Sequence, residues 1–568
     1  MMEATPFDHD LLSVEFDALS IEVKPLKKKK KPADLPKKYP VSALQLPLFA
    51  YPPINQPELA TDLPPTTTKS FYYLTGFPYP GNAAATYDIS ADKLTLWIPR
   101  PAPPATVLWL GNATTPSPED VLASSDVHDV QFAADNLPRY LAARLPRVRG
   151  PLYVLRASQL PDFEGFERLR PRLAVDVESL GPALDEARLV KDDFEVAMIR
   201  RANDISSRAH RDVARALREG RCKNECQIEA IFLNSCISRN AHTQAYPVIA
   251  GSGANASTLH YEANNAPLAG RELVVLDAGA EWACYASDVT RTLPLNKNGF
   301  SPQARAIYDL VLRMQRECIA AIRPGVVFRD LQLLAARVAV EGLLALGIFR
   351  AGEFTADEIY AAGTAAAFFP HGLGHHVGLD VHDVLSRELT RPAGEGMWGK
   401  RRPVGPQTLR GMIRQQQQAA AAAAIPTTTS VGNKNGEGQD EPQATINNKR
   451  LSTTTTSSAS SSSKPSTTAS PPASSTKYGI LQPNMVVTIE PGIYFCRPYI
   501  EWHFLRDGSE HRRYFDVDVL QQYWDVGGVR IEDCILVTPG GHENLTSAPK
   551  CGVDDENEEE AEDGDVEY

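Results

Sequence analysis

The sequence predicts an α/β domain followed by an α+β domain, the second interrupted by a disordered low-complexity insertion. Three observations carry this. From about residue 51 to 185, short apolar and aromatic runs alternate with Pro, Gly and Asn. From Leu189 onward, stretches with apolar residues at helical spacing alternate with β-branched runs that contain carboxylates. Between about Trp398 and Lys477 both patterns vanish. A chain of 568 residues is also too long for one compact core, so two domains of ordinary size plus tails fit its length.

Residues 1–50 read as a disordered tail, with the Pro-flanked run Lys27 to Lys31 as a solvated basic stretch. In the first domain, 51–185, Phe71 to Leu74, Leu94 to Ile98, Val107 to Leu110 and Leu152 to Leu155 read as strands, and Pro138 to Leu145 as a helical piece. The second domain occupies 186–397. There DDFEVAMIRRANDISSRAHRDVARALREG sets Phe194, Met198, Ala202, Ile205 and Ala209 at steps of four or three, a helix ending at Gly220. CQIEAIFLNSCISRN fits a second helix and SPQARAIYDLVLRMQRECIAAI a third, with Ser301 as N-cap and Pro302 in the favoured first position.

The insertion spans 398–476. Four Gln and six Ala run from 415 to 424, and 18 of the 26 residues from 451 to 476 are Ser or Thr, a composition that cannot bury enough apolar surface to offset its ordering entropy. Strand and helix signals resume over 477–550, so the insertion interrupts the second domain without ending it. An acidic tail, 551–568, closes the chain.

Composition narrows the function classes. Apolar residues at 43% and charged residues at 23% describe an ordinary soluble protein. Ten of the fifteen residues from Asp554 to Tyr568 are acidic, so the formal charge of −12 leaves a nearly neutral body and no basic face for nucleic acid. Nowhere do eighteen consecutive apolar residues occur, and the amino terminus lacks the pattern of a leader, so no membrane span and a cytoplasmic location are expected. Eight scattered cysteines read as reduced thiols, and the pair Cys222 and Cys226 has no matching second pair to complete a zinc site. The oligomeric state is open, a homo-oligomer included.

Four segments carry chemistry. In ELVVLDAGAEWACYASDVTRT an apolar strand ends at Asp277 and a returning strand contains Asp288. If the reversal is centred between Trp282 and Ala283, the two carboxylates lie opposite each other with Cβ atoms about 5 Å apart. Like charges so close require a cation or a shared proton between them. The plain alternative makes Asp277 a turn residue and pairs Asp288 with Arg291. In PHGLGHHVGLDVHD, four of the twelve histidines, His371, His375, His376 and His382, fall within a dozen positions, among glycines that allow close backbone approach to a ligand.

MVVTIEPGIY and GGVRIEDCILV each place one carboxylate, Glu490 and Glu532, inside a β-branched run where an unpartnered charge is rarely buried. The alternative is a surface pair of Arg530 with Glu532 on an edge strand. Together the segments supply two Asp, at least one His and two Glu at strand ends. That set is too anionic for one ion and suits two divalent cations with bridging carboxylates. Hard oxygen donors favour manganese, two Mn2+ per chain, with cobalt or zinc as substitutes in vitro.

These residues resemble the pita-bread metallopeptidases, in the branch that contains Xaa-Pro aminopeptidase (aminopeptidase P) and prolidase. LHY at 259–261, LDAGAEWACYASDVTRT, HGLGHHVGLDVHD, MVVTIEPGIYF and GGVRIED match that branch in its order, over roughly 186–395 and 477–550. SFYYLTGF at 70–77 is similar to the creatinase-like domain that precedes the catalytic domain there.

The resemblance implies that Asp277, Asp288, His375, Glu490 and Glu532 hold two metals, with Asp288 and Glu532 bridging. It chooses His375 over His376, which composition cannot do. It also implies outer roles for His371 and His382 near the scissile bond, His260 at the substrate pocket, and Arg530 supporting the site. The implied reaction is attack by metal-activated water on the carbonyl before proline, with Glu490 as proton shuttle and His382 or His371 stabilising the oxyanion. Proline-containing peptides are the implied substrates.

An aminopeptidase leaves the far end of the peptide open, whereas a dipeptidase holds a free carboxylate with a cation. Arg401, Arg402, Arg410 and Arg414 are the candidates for that cation; the wording leans to the aminopeptidase, with the dipeptidase as alternative. A non-catalytic binding module on the same fold would have lost at least one of the five donors, and this chain retains all five.

Overall fold

Residues 65–77, 83–100, 117–161, 163–390, 406–423 and 477–551 are described by the computed structural model. In the N-terminal domain β1 (Ala84–Asp88) and β2 (Lys93–Ile98) pair antiparallel, and β3 (Asp129–Phe132) joins β2 in parallel. Alternation splits β2 between two cores: Leu94, Leu96 and Ile98 pack on one face, and Trp97 meets Leu137 and Leu141 of the helix Ala133–Arg144 on the other. β4 (Leu152–Tyr153) and β5 (Val175–Asp176) form a short parallel pair.

Phe71 to Leu74, expected as a strand, lies in the helix Pro65–Thr75. Helical geometry lets Phe71 enter the first domain's core while Tyr73 enters the core shared with the second domain, where its hydroxyl donates to the Ala187 carbonyl at 2.9 Å. Packing on both sides overrides the β preference of these aromatics. Val107 to Leu110, the Lys27 to Lys31 run and the acidic tail from 552 lie outside the described residues.

In the second domain the helix Asp193–Arg218 starts at a capping box, in which Asp192 accepts from the Glu195 N–H and Glu195 accepts from the Asp192 N–H, and stops before Gly220 at φ 69°. The expected second and third helices form as Glu225–Ile237 and Pro302–Ala320, the latter capped by Ser301. The helix Phe328–Ala345 packs with Pro302–Ala320 in the largest apolar core.

Six strands come from the middle of the chain: β6 (Thr243–Gln244), β7 (Ile249–Ser252), β8 (Leu273–Asp277), β9 (Ala280–Trp282), β10 (Tyr285–Ala286) and β11 (Thr290–Pro294). The C-terminal part adds β12 (Val486–Ile489), β13 (Gly492–Tyr494), β14 (Gly528–Arg530), β15 (Asp533–Thr538) and β16 (Gly541–Asn544). They form sheets ordered β11-β8-β7, β10-β9-β6, β12-β15-β16 and β13-β14. Single bridges, Thr290 to Glu532 and His376 to Val487, join strands distant in sequence and bring their ends to one place.

Two expectations are corrected. The hairpin turns at Ala283 and Cys284, both at positive φ (48° and 71°), so Asp277 pairs with Thr290 rather than with Asp288. The shift is two residues, an even number, and Asp288 sits in the break between β10 and β11. Within the span read as an insertion, residues Pro406–Ala423 form a helix whose Leu409, Met412 and Ile413 are buried in the main core. Residues 398–405 and 424–476 lie outside the described residues.

Candidate metal centre

Each expected donor stands where a strand ends or breaks, because the sheet positions the backbone rigidly up to that point and then releases the side chain inward. Asp277 ends β8, Asp288 fills the β10–β11 gap, Glu490 follows β12, and Glu532 lies between β14 and β15. His375 is seated against β12: the Thr488 N–H donates to its carbonyl at 2.8 Å, and its own N–H donates to Thr488 Oγ1 at 3.0 Å. Gly374 makes this contact possible, since a Cβ there would lie 2.0 Å from the Thr488 carbonyl oxygen.

All five side chains meet. Oxygens of Asp277, Asp288 and Glu532 lie within 4.8 Å of one another, as do donor atoms of His375, Glu490 and Glu532, and of Asp288, His375 and His382. His375 Nε2 stands 3.2 Å from Asp288 Oδ2, 3.5 Å from Glu490 Oε1 and 4.0 Å from Glu532 Oε1. Its Nδ1 donates to the His376 carbonyl at 3.0 Å, which leaves the Nε2 lone pair directed at the carboxylates. His376 is in no donor group among the described residues; its ring is fully buried and its nitrogens lack partners. His382 is exposed, its ring 4.3 Å from that of His375.

Electrostatics match a cation site. Burial first, then the Asp277 and Glu490 carboxylates, push Asp288 well above the ordinary carboxylate range. Burial, then Asp288 and Asp277, do the same to Glu532, and burial followed by Glu532 pushes Glu490 up to about 8. Without cations such a cluster must hold protons; divalent ions would replace them. Glu532 bears most directly on fit: Oε2 accepts from the Thr290 hydroxyl at 2.6 Å, while Oε1 is buried without any partner. An acceptor left open among other carboxylate acceptors and the His375 ring suits a hard divalent cation.

The surface-pair alternatives fail. Arg291 pairs with Asp533 at 2.8 Å, and Arg530 donates to Asp277 Oδ2 at 2.6 Å, both arginines being buried. Arg530 also donates to the Tyr494 hydroxyl at 2.9 Å. The hydroxyl in turn donates to His371 Nε2 at 2.8 Å, because His371 Nδ1 donates to the Gly372 carbonyl. Burial, then Arg530, pull His371 down to about 3, so it is neutral. His260 is exposed and close enough to add to that depression; the neighbouring Tyr261 hydroxyl is tied to Glu225 at 2.8 Å. All eight cysteines are free, and neither Cys222 nor Cys226 enters a donor group among the described residues.

Four side chains at this site carried no sequence signal. The Tyr246 hydroxyl donates to Asp277 Oδ1 at 2.7 Å, Thr290 orients Glu532, and Tyr494 links Arg530 to His371. Gln315, in the helix Pro302–Ala320, donates to the carbonyls of Ile489 and Ile531 at 3.1 and 3.2 Å, the residues just before Glu490 and Glu532. Only the tertiary fold reveals these partners.

The family model for metallopeptidase family M24 matches residues 197–404 and 456–539, and that for the aminopeptidase P N-terminal domain matches residues 59–153. The chain belongs to metallopeptidase family M24. This M24 chain is 43% identical to a probable Xaa-Pro aminopeptidase of Metarhizium acridum (strain CQMa 102), over 96% of this chain and 97% of the relative. The same figures hold for a probable Xaa-Pro aminopeptidase of Colletotrichum graminicola. Proline aminopeptidase P II from Yersinia pestis superposes with a TM-score of 0.57 at 25% identity, covering 89% of the M24 chain and 93% of its own. A zinc-substituted E. coli aminopeptidase P in complex with product shares the fold, with a TM-score of 0.56 at 23% identity and coverage of 89% and 92%. The M24 chain thus carries an aminopeptidase P-type N-terminal domain before a pita-bread catalytic domain. Among its described residues no helix is long and apolar enough to cross a membrane.

Proposed function

We propose that this M24 chain is an Xaa-Pro aminopeptidase that releases the first residue of peptides with proline second, and that Asp277, Asp288, His375, Glu490 and Glu532 would hold two Mn2+ for the reaction. The observation that carries the reading is the convergence of five donors on a buried centre in which Glu532 Oε1 has no other partner. Divalent cations there supply Lewis acidity and bring the pKa of water toward neutrality.

The chain's own groups do the rest. Glu490, half-buried and 3.5 Å from His375 Nε2, would shuttle a proton from water to the leaving proline nitrogen. Both nitrogens of His371 are engaged, so His382, exposed beside His375, is the imidazole that donates to the developing oxyanion. His371 orients Tyr494, Arg530 holds Asp277, and His260 lines the approach of the peptide. An Xaa-Pro bond has no N–H, so binding relies on shape around the proline ring rather than on that donor.

The dipeptidase alternative requires a cation for the substrate carboxylate. Arg410 is taken by the Ala362 carbonyl and Glu510, and Arg414 is exposed on the helix Pro406–Ala423; Arg401 and Arg402 lie outside the described residues. The names of the relatives support the aminopeptidase. Free cysteines support a cytoplasmic location. The deciding experiment offers Xaa-Pro and Xaa-Pro-Xaa peptides side by side with added Mn2+. Preferential cleavage of the tripeptide is expected; cleavage of the dipeptide alone, or equal cleavage of Xaa-Ala peptides, contradicts the reading.

A further inference from the structure

The loop that carries His375 and His382 closes on a buried charge cluster unrelated to the five donors. Asp383, 1% exposed at its side chain, accepts from Lys191 Nζ at 2.9 Å and from Arg188 at 2.7 Å, and these two cations are themselves 1% and 2% exposed. The same Arg188 nitrogen donates to Asp380 at 2.6 Å. Arg188 therefore clamps the two carboxylates that bracket Val381 and His382. Arg188 lies in the last turn of the helix Leu180–Leu189, between the two domains, and its other terminal nitrogen reaches Ser70 in the helix Pro65–Thr75 at 3.3 Å.

Asp383 is also tied to the donor His375 through one atom. The His376 carbonyl accepts both the Asp383 N–H at 2.9 Å and the His375 Nδ1–H at 3.0 Å. Ser386 closes the ring: its hydroxyl donates to the Asp383 carbonyl and accepts from the His376 N–H at 3.0 Å. There is no slack beneath it, because a Cβ on Gly378 would lie 2.2 Å from Asp383 Oδ2 and 3.0 Å from Lys191 Cε. Any displacement of Asp383 moves the carbonyl that aims His375 and the segment that carries His382.

We propose that Lys191 and Arg188 are positioning residues: by holding Asp383 they fix the direction of His375 Nε2 and the reach of His382 over the substrate. Neither touches the donors nor the reacting atoms. A buried carboxylate stripped of one cationic partner does not stay in place, so the effect passes to the loop rather than ending at the pair. Mutation of groups that orient a metal-binding histidine typically costs about 10- to 100-fold in metal affinity or activity.

The inference rests on the metallopeptidase reading and is tested on the full chain by Lys191→Met, which keeps the stem and removes the charge. After chelator treatment, wild type and variant are titrated with Mn2+ by calorimetry, and kcat and KM are measured on an Xaa-Pro-Xaa peptide at saturating Mn2+. The variant is expected to bind Mn2+ about ten-fold more weakly or worse and to lose kcat by a similar factor. A folded variant with Mn2+ affinity and kcat within about two-fold of wild type overturns the proposal. Should Lys191→Met not fold, Ser386→Ala opens the ring from the other side; about five-fold weaker Mn2+ binding supports the proposal and unchanged binding overturns it. A wild type that binds Mn2+ yet cleaves no proline peptide defeats the functional reading instead, and the affinity ratio still decides the role of Lys191.

Discussion

Arg530 donates to Asp277 across 253 positions of sequence, at 2.6 Å and with both groups largely removed from water. The contact offsets one negative charge in a centre that gathers four carboxylates, and with the Tyr246 hydroxyl on Oδ1 it fixes the orientation of the Asp277 carboxylate.

Arg530→Leu leaves Asp277 without its cation and is expected to destabilise the metal-free protein by about 3 kcal/mol or more. Arg530→Lys keeps a charge but not the fork that reaches Asp277 and Tyr494 together. Thermal denaturation with and without Mn2+ checks this: a melting temperature unchanged in Arg530→Leu would show the pair to be irrelevant.

The pH dependence has a definite sign. In the metal-free chain Glu490 is raised to about 8 and Glu195 to about 7 from 4.5, so between these values the folded state holds protons that the unfolded state has released. That stability is complete below pH 4.5 and is lost as pH rises through 8. His371, lowered to about 3 from 6.5, acts oppositely but only below pH 6.5. The melting temperature of the metal-free chain should therefore fall from pH 6.5 to about 8.5, and saturating Mn2+ should flatten or reverse the slope. A rise in the metal-free chain over this range would contradict the assignment.

Gln315→Leu removes the amide that joins the carbonyls preceding Glu490 and Glu532. A loss of about 2 kcal/mol is expected, accompanied by weaker Mn2+ binding. Calorimetric titration showing wild-type affinity in the folded variant would reduce Gln315 to an ordinary core residue.

The fold and the centre were legible in the sequence to different depths. Glu490 and Glu532 stood out because an acid in a β-branched run has few stable environments, and Asp277 because it ends an apolar strand; Glu490 and Glu532 lie beside His375, and Asp277 beside Asp288 and Glu532. The hairpin register was not legible: its turn uses Ala283 and Cys284 at positive φ, where no Asn-Gly signal marks the reversal. The shift is even, and oxygens of Asp288 and Asp277 lie in one group despite the different pairing. Tyr246, Thr290, Tyr494 and Gln315 act through contacts between distant elements, which local pattern cannot carry.

The helix Pro406–Ala423 was hidden by its low-complexity second half, although Leu409, Met412 and Ile413 form an apolar stripe at helical spacing. Met412→Asp should cost about 3 kcal/mol, while deletion of 424–476 should leave activity within about two-fold of wild type. A deletion starting at 415 should do worse, since Gln415 and Gln416 bond Arg329 and Asp330. Comparative melting and peptide hydrolysis decide between the two boundaries; equal behaviour of both deletions would contradict the packed helix.

The most direct test of the centre itself is the number of Mn2+ ions bound per folded chain, measured by calorimetric titration together with elemental analysis of the gel-filtered product. Two ions per chain in wild type, with at least one lost in Glu532→Gln, is the predicted result. A folded wild type that retains none, or a Glu532→Gln variant that still retains both, would contradict it.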